Sequence, residues 1–139
     1  MTPLFLLVLA SLLCPGDRQP ALEGEAHRFA EAWVREDLRT LGAAMAPEGI
    51  RLHLSGEEHA LILPRQARAA IGAFLERYSR GEVQVTRVSI ARGDPAKGYS
   101  EIRWVTQAPG VTEPQTFTIF VAFSLREEAW QVTEIRVLF

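Results

Sequence analysis

The 139-residue chain has one cysteine, no run of Lys or Arg, no glycine-rich loop, and no long apolar stretch except at its N-terminus. Each absence excludes a class. A lone cysteine rules out a disulfide scaffold and a cysteine-based metal cage. With 15 basic against 17 acidic residues and a formal charge of −2, the chain has no concentrated basic face to neutralise phosphates, so nucleic acid is excluded as a partner. The lack of a glycine-rich phosphate loop argues against nucleotide binding. The lack of a Gly-x-Ser-x-Gly turn, with the sole thiol near the N-terminus, argues against a nucleophilic triad. Apolar and charged fractions of 47% and 23% are those of a chain able to bury an ordinary core.

What the chain does have is two hydrophobic periodicities in succession. The uncharged stretch Met1–Leu13, broken by Pro15-Gly16, reads as a secretory leader: it is too short to span a bilayer and sits where export signals sit. The expected division is 1–16 as leader and 17–139 as one domain, with a periplasmic or extracellular location and no membrane span. Cys14 follows Leu12-Leu13 rather than a small residue, which disfavours lipid attachment there.

After a polar stretch, Asp17–Pro20, the residues Leu22, Ala26, Phe29, Ala30 and Trp33 form one helical stripe. Asp37 is placed to cap a second short helix carrying Leu38, Leu41 and Met45, ended by Pro47. Ile50, Leu52 and Leu54 alternate with Arg51 and His53 as a short strand, and Ser55-Gly56 turns it toward Ala60–Leu63. Pro64 opens a third helix, with Ala67, Ala70, Ile71, Phe74, Leu75 and Tyr78 on one stripe and Gly81 as its stop.

From Glu82 the period becomes two. Val83 and Val85 are followed by Val88 and Ile90, a slip of one residue near Thr86; Trp130 and Val132 are followed by Ile135 and Val137, a second slip near Thr133. A one-residue slip sends later side chains to the wrong face unless a bulge absorbs it, so two bulged strands and a strongly bent sheet are predicted. Between them run the strands Tyr99–Gln107 and Gln115–Leu125, the latter with Phe117, Ile119, Val121, Phe123 and Leu125 on one face.

This α+β layout, two to three helices packed on a strongly bent four-stranded antiparallel sheet plus a short hairpin, resembles the nuclear transport factor 2-like superfamily. The resemblance is carried by Phe29–Trp33, the Glu36-Asp37 break, Met45-Ala46-Pro47-Glu48 before the Ile50 strand, Ile71–Tyr78, and the closing Trp130–Val137. Within that superfamily, Pro64-Arg65-Gln66-Ala67 and the ending Glu134-Ile135-Arg136-Val137 look most like small exported bacterial domains of unknown function.

The resemblance implies a cone with an apolar pocket, in which enzymes of the superfamily hold an acid or base whose pKa is tuned by burial. The pocket lining expected here is Phe29, Trp33, Phe74 and Tyr78 from the helices, with Trp104, Phe117, Ile119, Val121 and Trp130 from the strands. No acid or His falls in that set. Candidate acid-base residues lie elsewhere: Asp37 between helices, Glu48 in a loop, His53 on the far side of Leu52 and Leu54, with Tyr78 as a hydroxyl donor at the rim. No catalytic assignment follows from them. His53 and His59 have no third ligand at firm spacing, so no metal site and no cofactor is assigned.

The outer face of the sheet, with Thr118, Phe120 and Ala122 flanked by Glu101, Arg103, Glu134 and Arg136, suits a self-complementary contact, and the resemblance implies a homodimer through it. The sequence therefore favours an exported, non-catalytic domain binding a small hydrophobic ligand or a protein partner. The alternative is a lyase or isomerase of the ketosteroid isomerase or polyketide cyclase kind.

Overall fold

Burial alternating along nearly every strand, together with three helices buried along one face, fixes a two-layer arrangement. The computed structural model describes residues 15–78 and 81–139. Helices α1 (Pro15–Val34), α2 (Leu38–Ala44) and α3 (Pro64–Leu75) pack on a sheet of β1 (Ile50–Leu54), β2 (Glu57–Ile62), β3 (Glu82–Ala91), β4 (Lys97–Thr106), β5 (Gln115–Arg126) and β6 (Ala129–Leu138). The strand order is β2-β1-β6-β5-β4-β3. Every neighbour is antiparallel except β1 and β6, which run parallel.

The hairpin and the four long strands are thus one six-stranded sheet. The expected count of four plus a separate hairpin changes because β1 adds its backbone to the free edge of β6, pairing Arg51 with Glu134 and Leu54 with Val137. Helix α1 starts at Pro15 and runs through Asp17–Pro20, which the sequence left outside it. Pro20 lacks the N–H that would reach back four residues, a loss confined to one bond near the helix start. The leader, Cys14 included, lies outside the described residues apart from Pro15 and Gly16.

Both phase slips are bulges. In β3 the register with β4 shifts between Val85 and Arg87, leaving Thr86 extra. In β6 the register with β5 shifts so that Ala122 faces Glu134 and Phe123 faces Val132, leaving Thr133 extra. Each threonine hydroxyl donates to a carbonyl of the neighbouring strand: Thr86 Oγ1 to Glu101 O at 3.1 Å and Thr133 Oγ1 to Ala122 O at 3.3 Å. The bulges bend the sheet around the helices, which sit against its inner face.

Glu36, at a φ of +56°, breaks the chain between α1 and α2. Asp37 then caps α2, its Oδ1 accepting from Thr40 N at 3.2 Å and its Oδ2 from Thr40 Oγ1 at 2.6 Å. At the start of α3, Leu63 N donates to Gln66 Oε1 at 3.2 Å, and Pro64 occupies the first turn, where its missing N–H costs nothing. Helix α3 ends at Leu75, so Tyr78 lies three residues past it rather than on its last turn.

Candidate functional site

The interior between helices and sheet is filled by aromatic rings. Trp33 on α1 packs its ring 5.6 Å from that of Trp104 on β4 and 6.4 Å from that of Phe74 on α3. Trp104 stacks on Phe117 at 5.0 Å, and Tyr78 closes over both, 5.5 Å from Trp104 and 5.2 Å from Phe117. Phe139 adds an edge contact to Phe117 at 5.5 Å. The nine residues expected to line a pocket are brought together on one side of the sheet, all buried except Tyr78, which is half-buried. Rings at these separations are in direct contact, so they form packed core around Trp33 and Trp104.

Polar chemistry is sparse there. Among the described residues no Asp, Glu, His, Lys or Arg is buried, and the buried polar side chains are Ser100, Thr106 and Ser124. The indole nitrogens of Trp33 and Trp104 are buried without a hydrogen-bond partner.

The acid-base candidates are spread over separate elements. Asp37 is exposed and committed to capping α2; its hydrogen bonds from the Thr40 side chain and backbone hold its pKa below the ordinary carboxylate value, so it stays ionised. Glu48 is exposed and pairs with Arg126 from the β5–β6 end of the sheet. His53 lies on the outer face of β1, its Nδ1 3.2 Å from Glu58 Oε1 and its Nε2 facing Gly56 N at 3.5 Å. His59 is paired across the hairpin with Leu52, and His53 with Glu58; the His59 Nε2 lies 3.4 Å from Glu57 Oε1, without the alignment of a hydrogen bond. Neither histidine nor either carboxylate joins Tyr78, and no group of three His, Cys, Asp or Glu side chains among the described residues is placed to hold a metal.

The outer face is where exposed apolar and charged side chains meet. Strand register aligns Arg136, Phe120 and Glu101 in one row across β6, β5 and β4, and Glu134, Ala122 and Tyr99 in the next. Phe120 and Tyr99 are 36% and 47% exposed, large apolar surface for a sheet face. A depression of about 220 Å³ lies between them, bordered by Glu134 and Arg136. On the flank, Arg51, His53 and Glu58 extend the charged surface onto β1 and β2. All six residues expected on a self-complementary face, Glu101, Arg103, Thr118, Phe120, Ala122 and Arg136, share this face through the register.

Two features were read from the sequence only in part. Phe139, which the sequence places in the apolar phase after Ile135 and Val137 but outside the pocket lining, is largely exposed and touches the aromatic cluster by its edge contact with Phe117. A cleft between α1, α2 and the start of β6 takes Phe29 and Trp130 from the expected pocket lining, whereas Leu41, Ala43 and Ala44 of α2 join it only through the assembled fold.

No helix among the described residues is long and apolar enough to cross a membrane. No family model and no curated protein matches the sequence. Solved structures do. The chain is similar to a candidate dehydratase of the nuclear transport factor 2-like family from Streptomyces avermitilis, at 14% identity over 90% of this chain and 97% of that one, with a TM-score of 0.70. It is similar to a DUF4783 family protein from Bacteroides uniformis, at 14% identity over 81% and 94%, TM-score 0.66. An epoxide hydrolase from M. tuberculosis, described as LEH-like, is 16% identical over 88% and 84%, with a TM-score of 0.62. At these identities the likeness is one of fold.

Proposed function

We propose that this chain, which has the nuclear transport factor 2-like fold, is a non-catalytic binding module that works through the outer face of its sheet and pairs there with a second copy of itself. The observation that carries this reading is the absence of any buried acid, base or histidine among the described residues, in an interior occupied by packed rings. Acid-base catalysis requires a titratable group within hydrogen-bond reach of a bound substrate. Asp37, Glu48 and His53 are instead engaged as a helix cap, an ion pair and a surface hydrogen bond. The activities named for the dehydratase and the epoxide hydrolase belong to those proteins. The apolar stretch Leu4–Leu13 is what supports an exported location, periplasmic or extracellular.

The outer face supports pairing through its own symmetry. A two-fold axis lying in the interface and running along β5 exchanges the positions of β4 and β6. Phe120 then meets Phe120 of the second copy, and Arg136 meets Glu101 of the second copy, twice. Within one copy Arg136 Nε is 3.9 Å from Glu134 Oε1, a loose and exposed pair that leaves its guanidinium available.

Light scattering across a concentration series tests this. The chain is expected to be a dimer; Glu101→Arg or Arg136→Glu alone should weaken association about tenfold, and the double exchange should restore it. Arg136 is exposed and Glu101 half-buried on the outer face, so the unfolding midpoint should stay constant when measured at concentrations where every variant is monomeric, and should fall for the single variants where the unaltered chain is dimeric. A chain that remains monomeric, or a double exchange that does not rescue, would overturn the reading.

A further inference from the structure

We propose that the cavity between the start of α1 and the turn joining β3 to β4, separate from the outer face and from the aromatic core, binds a small organic carboxylate, a single anionic group carried on an apolar body. The cavity measures about 510 Å³, within the range of small-molecule sites. It is lined by Arg18 and Gln19 of α1, by Ile90 near the end of β3, and by Arg92, Gly93 and Ala96 of the turn.

The site exists because close packing between α1 and the sheet stops short of this end. Helix α1 lies along β3, the edge strand, and its first residue in the core is Leu22, seated on Gly98 of β4. Ahead of Leu22 the helix is tied to β3 by the Gln19 amide, whose Nε2 donates to Val88 O at 3.2 Å. The β3–β4 ladder closes at Ala91 and Lys97, so residues 92–96 loop out beyond it, and the cavity is the space between that loop and the helix. Ile90, half-buried, and Ala96, buried, give it an apolar floor.

Charge selects the ligand. Two guanidinium groups line the cavity and no carboxylate does. Asp17 and Asp94 flank the site in sequence, yet among the described residues neither Arg18 nor Arg92 forms an ion pair with any acid. Arg18 is moreover half-buried, and its Nε is buried without a hydrogen-bond partner. Buried polar atoms are normally satisfied, so this cation has lost water at Nε and gained no acceptor in return. A second positive charge in the same cavity adds repulsion, and an anion between the two would relieve both. Guanidinium donors suit a carboxylate because two parallel N–H groups meet its two oxygens. The floor of Ile90 and Ala96 then favours an apolar body on that carboxylate over a bare ion.

Titration of the full-length chain with benzoate, benzamide, acetate and inorganic phosphate, followed by ¹H–¹⁵N NMR, tests the assignment. Benzamide keeps the shape of benzoate without its charge, and acetate keeps the carboxylate without the ring. Saturable shifts with benzoate are expected at the backbone amides of Ile90, Gly93 and Ala96 and at the Arg18 side-chain Nε–H, with benzoate bound about tenfold more tightly than each of the other three. Arg92 is exposed, so Arg92→Gln should leave the unfolding midpoint unchanged while lowering benzoate affinity to that of benzamide. Arg18→Gln should do the same to binding, and Arg65→Gln, an equal loss of charge at an exposed position on α3, should alter neither. Benzoate and benzamide binding alike, no saturation with benzoate, or a preference that survives both Arg18→Gln and Arg92→Gln would overturn the proposal. Acetate or phosphate binding as tightly as benzoate would overturn it too, by showing that the apolar floor takes no part.

Discussion

Trp33 concentrates the physics of the interior in one side chain. It is fully buried, touches rings from α1, α3 and β4, and yet its indole N–H has no acceptor. A buried donor without a partner costs about 1–3 kcal/mol, offset here by apolar burial and ring contacts. The two contributions can be separated by substitution. Trp33→Phe keeps a ring while removing the unpaired N–H, so its loss should be small, about 1 kcal/mol or less, the smaller ring's lost contacts being offset by relief of the donor. Trp33→Ala removes both and should cost about 3–5 kcal/mol through the cavity it leaves. Urea unfolding of the two variants checks this. A loss for Trp33→Phe as large as that for Trp33→Ala would show that the indole N–H is satisfied in solution. The position itself was readable, because Trp33 falls on the stripe of Leu22, Ala26 and Phe29. Its unpaired nitrogen was not, since periodicity records which face is buried and says nothing about acceptors.

Among the elements, β6 shows how a sequence encodes a bend. Its apolar set changes phase at Thr133, and the extra residue lies immediately before Glu134, where pairing with β1 begins. The bulge therefore turns β6 at the point where the sheet acquires its parallel neighbour. Two variants separate hydrogen bond from geometry. Thr133→Val keeps the branched shape and loses only the bond to Ala122 O, a loss of about 1 kcal/mol. Deletion of Thr133 leaves an unbroken alternation, with Trp130, Val132, Ile135 and Val137 still on one face, but it flattens the strand. If the bend is what fits the sheet to the helices, the deletion should destabilise more than Thr133→Val and should alter the near-ultraviolet signal of the tryptophans. Equal losses would mean that the bulge contributes only its hydrogen bond. The two bulges were legible because a phase slip is local. The parallel contact between β1 and β6 was not, because it joins segments about 80 residues apart and leaves no periodic trace in either. The candidate site fared likewise: the outer-face row of Arg136, Phe120 and Glu101 followed from alternation once faces were assigned, and so did Phe29 and Trp130, whereas their meeting with Leu41 of α2 in one cleft is a product of the assembled fold.

Across the whole molecule, the sheet is a wall with two unlike faces, and where the wall begins to bear on α1 bounds the folded unit. The first α1 residue in the core is Leu22, which lies on β4 at Gly98; a Cβ there would approach Leu22 Cδ2 to 2.7 Å, so the glycine is what lets helix and strand touch. Ahead of Leu22, Gln19 Nε2 donates to Val88 O at 3.2 Å and Arg18 is half-buried, while Asp17, Pro20 and Ala21 are exposed. The packing that holds α1 thus starts after the boundary proposed between leader and domain at 16 and 17. A chain beginning at Asp17 keeps every buried side chain described for the helix, and it places the Asp17 carboxylate in the first turn, where the helix dipole favours negative charge. Its denaturant midpoint and slope should match those of the whole chain, since the slope follows the surface exposed on unfolding. In a bacterial host, intact-mass measurement of the exported fraction should find the chain shortened to a start near Asp17. A lowered midpoint would show that preceding residues belong to the fold, and a full-length mass outside the cytoplasm would show that they are not removed; either result would set aside the leader and move the domain boundary toward Met1.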